Sequence, residues 1–115
     1  MADIDVKELN RQVRVLVGDP DEVKYDFEKE IMPWINAGVR EIRKLKPDSK
    51  QDAAGDERTV TAVTALSGDV SMDDHYQTAL MHFVAAYTAI THGTEASNRA
   101  LSRAHLDHFF TWIKA

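Results

Sequence analysis

The sequence predicts an all-α domain: a small bundle of four helices with one long, partly β loop between the second and third. Three observations predict it. Apolar residues recur at intervals of three and four in four separate segments, each making a helical stripe. Breakers fall between those segments, at Gly18, Pro20, Pro47 and Gly93. A chain of 115 residues with 43% hydrophobic and 29% charged side chains matches a single globular domain with one modest core.

The first helix is expected over residues 4–17, with Val6, Leu9, Val13, Leu16 and Val17 on its stripe. Asp3 or Asp5 caps it, and Gly18-Asp19-Pro20 stops it. Residues 19–30 carry six acids against Lys24 and Lys29 and read as a loop or short exposed turn. The second helix presents Phe27, Ile31, Trp34, Ile35, Val39, Ile42 and Leu45. Proline is tolerated in a first turn but not in a helix interior, so Pro33 places the main start near Ile31 or Met32, with a separate turn at 25–29. Pro47 ends the helix, and its far face carries Arg40, Arg43, Lys44 and Lys46.

Residues 48–70 form the extended loop and the expected partner-facing element. Within it, RTVTAVTAL is rich in β-branched residues and reads as a short strand, with a helical turn as the alternative. The third helix is expected to open on a capping box at Ser71-Met72-Asp73-Asp74 and to carry Tyr76, Leu80, Phe83, Tyr87 and Ile90 on one stripe. Gly93 stops it and Thr94 caps the fourth helix, which runs to the last residues and makes a helical hairpin with the third.

Several function classes are disfavoured by composition. The absence of cysteine removes disulfides, thiolate metal sites and cysteine nucleophiles. A net charge of −5 argues against nonspecific binding of nucleic acid or anionic lipid. No apolar run approaches the roughly 20 residues of a membrane span. The opening residues MADIDVKELNRQ lack the apolar stretch of a signal peptide, so an intracellular or particle-bound chain is expected.

Catalytic chemistry finds no foothold in the pattern. His105 and His108 lie at i, i+3, but a metal site needs a third ligand, and Asp107 points about 100° away from His108. The acidic groups Asp19-Asp21-Glu22 and Asp73-Asp74 read as helix-start carboxylates, without the spacing of a calcium loop. There is no GxSxG elbow and no glycine-rich phosphate loop. The expectation is therefore a non-enzyme without cofactor or metal. Its candidate contact residues are the basic face Arg40, Arg43, Lys44 and Lys46, the acidic stretch Asp19, Asp21 and Glu22, and the late aromatics Phe110 and Trp112.

Two stretches carry a family resemblance. IMPWINAGVREIRKLKPDS is one, and the hairpin HYQTALMHFVAAYTAIT with NRALSRAHLDHFF is the other. Together they resemble the small all-α head–tail connector (adaptor or head-completion) proteins of tailed bacteriophages, over roughly residues 5–48 and 71–113. Residues 49–70 depart from the relatives, which often carry a longer insertion with clear strands. The resemblance implies a structural virion protein assembled in the host cytoplasm. It implies a ring, commonly of twelve copies, beneath the portal, which docks tail proteins while DNA passes through the lumen. The alternative is a small intracellular helical regulatory or DNA-binding module acting as a dimer, with the basic helix face on DNA.

Overall fold

A computed structural model describes residues 3–22, 24–50, 56, 60–91 and 96–114. Asp5 opens the first helix: its backbone is extended and its carboxylate accepts the Glu8 N–H at 3.3 Å, so α1 spans Val6–Leu16. Ile4 therefore lies in a short strand, β1 (Asp3–Asp5), where the helical periodicity had placed it in the first helix. β1 pairs antiparallel with β2 (Asp69–Asp73), Ile4 facing Val70 and Asp5 facing Asp69. Ile4, Val70 and Met72 turn inward and are wholly buried, while Asp3, Asp5 and Asp69 stay in water.

This ribbon corrects two expectations. The strand expected in RTVTAVTAL is absent from its described part, residues 60–66, and appears instead at 69–73, where a helix cap had been expected. The reason is pairing: Val70 and Met72 alternate with polar neighbours and have Ile4 to lie against. Asp73 still caps, but at the end of the strand, where it accepts the His75 N–H at 3.0 Å. A 3₁₀ turn (Asp74–Tyr76) then leads into α3 (Gln77–Thr91).

Residues 60–68 do not swing free. The Asn36 side chain holds the Val63 backbone from both sides, accepting its N–H at 2.8 Å and donating to its carbonyl at 3.1 Å. A side chain thus satisfies the backbone groups that a sheet partner would otherwise satisfy. Val63 is consequently buried against α2. The polar stretch 51–55 and residues 57–59 lie outside the described residues.

Between α1 and α2 the chain turns on Gly18, whose φ of +75° is left-handed and suits a residue without Cβ. A single π-helical turn (Phe27–Ile31) follows, with reciprocal capping: Asp26 accepts the Lys29 N–H at 2.9 Å and Glu30 accepts the Asp26 N–H at 3.3 Å. α2 (Met32–Leu45) starts where the proline argument placed it, with Pro33 in the first turn. A 3₁₀ turn at Pro47–Lys50 follows it.

α3 is the central helix. Ala79, Leu80, Phe83, Val84, Ala85, Ala86, Thr88 and Ala89 are buried, so it is covered nearly all round, as a helix without a polar face must be. α4 (Ala96–Lys114) returns along it, with α1 and α2 also packed on α3. Phe83 meets Phe109 edge-on at 5.3 Å between ring centroids, and its ring is tilted against that of Tyr87 at 4.8 Å. The expected turn residues Gly93, Thr94 and Glu95 lie outside the described residues. Among the described residues the architecture is the predicted four-helix all-α bundle, extended by one two-stranded ribbon.

α2 and α3 pack closely at Gly38. A Cβ there would lie 2.6 Å from Leu80 Cδ1 and 2.8 Å from Phe83 Cδ1, both on buried side chains. Alanine normally favours a helix interior by about 1 kcal/mol over glycine. Here overpacking should dominate, and Gly38→Ala should destabilise the chain by about 1–3 kcal/mol in urea denaturation. A stabilised variant would show that the two helices are not in contact at this point.

Candidate interaction surfaces

The acidic connection is built around a buried ion pair. Arg14 and Asp19 side chains are 5% and 4% exposed, and Arg14 Nη1 donates to Asp19 Oδ2 at 2.9 Å. The same Nη1 donates to the Tyr25 carbonyl at 2.9 Å, and Arg14 Nε donates to Asn10 Oδ1 at 3.2 Å. Asp19 in turn accepts the N–H groups of Lys24 at 3.0 Å and Tyr25 at 2.9 Å. The sequence had placed Asp19 on a contact surface, but in the folded chain it is buried. Its carboxylate is consumed inside the chain, because a guanidinium and two backbone donors converge on it. Asp21 and Glu22 remain exposed, with Glu22 Oε1 4.0 Å from Arg14 Nε.

Helix α2 and its C-cap Lys46 present the basic residues unevenly. Arg40 and Lys44 are exposed, whereas Arg43 and Lys46 are half-buried. Lys46 lines a cleft with Asp48, His75, Tyr76 and Trp112. Trp112 is half-buried there, edge-on to His75 at 5.1 Å. Burial raises the Tyr76 phenol above its ordinary pKa, and Asp48 and Asp73 add to the effect.

Phe110 behaves differently from its neighbours. Phe109 is wholly buried, while Phe110 is 42% exposed. It stands between two shallow grooves, one shared with Ile90, Arg103 and Leu106, the other with Leu45, Ile113 and Lys114. Ile90 and Leu45 are themselves exposed and each shares a groove with Phe110, so apolar side chains from three helices line one ridge of the surface. Sequence reasoning picked out Phe110 but not Leu45 or Ile90, which it assigned to helix stripes. Their signal was position: each lies in the last turn of its helix, where the stripe outruns the core.

A third arrangement was only half visible in the sequence. His82 of α3 stacks between the two α4 histidines, with centroids 5.2 Å from His105 and 5.0 Å from His108. His82 Nδ1 and His105 Nδ1 face each other at 3.0 Å, so one donates and the other must be unprotonated. Among the described residues, no group of three histidine, aspartate or glutamate side chains is placed to hold a metal ion. Burial pushes the His82 pKa down to about 4, helped by the neighbouring His105 and His108. His105 is lowered by burial and by His108, with the Leu16 carbonyl opposing.

Comparison with known proteins finds no matching family model, no matching curated protein and no matching solved structure.

The stack should make the bundle acid-sensitive. Unfolded histidine titrates near about 6.5, above the folded His82, so the unfolded chain takes up more protons as pH falls. The stability held by the neutral stack is thus complete above about pH 6.5 and is lost as pH falls towards 4. Thermal melts should show the wild-type midpoint dropping between neutral and mildly acidic buffer, and His82→Gln dropping by clearly less. Parallel drops would show that the stack does not titrate with folding.

Proposed function

We propose that this chain is a structural component of a tailed bacteriophage, a head–tail connector that assembles as a ring beneath the portal. It acts by binding rather than by catalysis, and its partners are further copies of itself, the portal and the tail. The observation that carries this reading is the exposed apolar ridge of Leu45, Ile90 and Phe110. Apolar side chains that cluster on a surface, rimmed by polar ones, mark contacts with other proteins. The resemblance of the α2 and α3–α4 segments to connector proteins supplies the kind of assembly.

The net charge of −5 suits a ring that DNA traverses. Acidic residues lining a lumen repel phosphates and keep the genome from sticking, over a range of about 8–10 Å at physiological salt. In such a ring the basic residues of α2 belong at subunit or portal contacts, away from the channel.

The test is composition. Tailed particles released by cells that encode this chain should contain it, in a copy number of about twelve by quantitative mass spectrometry, the usual order for such rings. Antibody against it should label the head–tail junction. Recovery of the chain only outside particles, as a dimer that retains duplex DNA, would overturn the connector reading in favour of a regulatory module.

A further inference from the structure

We propose that the ridge around Phe110 docks onto the acidic α1–α2 connection of a second copy of this chain, in a head-to-tail contact. The inference deepens the connector reading by naming the surfaces that neighbouring subunits share.

The first surface is apolar with a cationic rim. Leu45, Ile90 and Phe110 are 38%, 40% and 42% exposed, and the two grooves beside Phe110 are edged by Lys46, Arg99, Arg103 and Lys114 against a single carboxylate, Asp107. Lys114 Nζ lies 6.0 Å above the centre of the Phe110 ring, which places one of those charges on the ridge itself.

The second surface is the complement of the first. Val15 is the most exposed of the large apolar side chains among the described residues, at 56%, and it lies in the last turn of α1. The connection that follows exposes Asp21, Glu22, Asp26 and Glu28 against Lys24 and Lys29. Thus exposed Val15 leads into a connection with four exposed acids against two lysines at one place, and an apolar ridge with a basic rim is exposed at another. Among the described residues, no ion pair joins these two patches within one chain.

Two features favour a second copy as the occupant. The charge signs match across the two patches, which sets register and discourages each patch from pairing with itself. The acidic patch is also preorganised, because the buried Arg14–Asp19 pair and the bonds to Tyr25 hold the connection in shape before any partner arrives. Two different faces of one chain that fit each other define a heterologous interface, which closes into a ring when the rotation between neighbours divides a full turn.

The absence of cysteine makes the test direct. Asp21→Cys and Arg103→Cys place one thiol beside each patch while leaving Val15 and Phe110 in place. Oxidised together, the two variants should form disulfide-linked mixed dimers several-fold faster than either variant alone. Adding Phe110→Ser to the Arg103→Cys chain should abolish that excess with no loss of melting temperature. Equal cross-linking by one variant alone, or no excess in the mixture, would overturn the contact. If the contact fails while the chain is present in tailed particles, the connector reading stands and this interface falls. Mixed dimers from a chain absent from particles would leave the interface and remove the connector.

Discussion

The path of the chain between its first two helices depends on two charges withdrawn from water, the Arg14 guanidinium and the Asp19 carboxylate, joined at 2.9 Å. Desolvating both ions is costly, and a buried pair holds only when the remaining donors and acceptors are also satisfied. Here further bonds hold both groups: Asn10 accepts from the guanidinium Nε, the Tyr25 carbonyl accepts from Nη1, and two backbone N–H groups donate to the carboxylate. The arrangement ties α1 to the strand of chain entering the π-helical turn. It thereby sets where Tyr25 enters the core and which of the nearby acids are left outside. A solvated loop of the same composition would present no fixed surface.

From that anchor the bundle assembles around α3. Its alanines let the neighbouring helices come close, and Gly38 of α2 is the point where a single methyl group would intrude. The Ile4–Val70 ribbon closes one side of the core, and Asn36 clamps the Val63 backbone along another. Each device satisfies backbone polar groups that the four-helix pattern alone leaves open.

What was legible in the sequence follows from locality. Helical periodicity and proline placement located α2 to within a residue, and the alanine-rich composition of α3 matched its burial. The ribbon was hidden because its partners are far apart in the chain, and because three residues of a strand look like the start of a helix when Val6 and Leu9 follow. Asp19 was misread for a related reason: an acid in an acidic stretch looks solvated until its partner, one turn back on the inner face of α1, is known. His82 drew no notice because the histidines that complete its stack lie on another helix. Phe110 was named with Trp112 as a candidate contact residue and is exposed in the fold, whereas its companions Leu45 and Ile90 looked like ordinary stripe residues until the helices were packed together.

The surface that remains after folding has two characters, an apolar ridge with basic edges and an acidic connection held rigid from within. The second owes its shape to the buried ion pair, so that pair is where the account is most exposed to test. A double-mutant cycle on Arg14→Met and Asp19→Asn, followed by urea denaturation, measures it directly. Each single change strands one buried charge and should cost about 3–5 kcal/mol. The double variant should be more stable than the sum of the two losses by about 2 kcal/mol or more, because no charge is then left unpaired. Losses that add to within about 0.5 kcal/mol would contradict the account, since they would mean that the two groups do not meet in the folded chain.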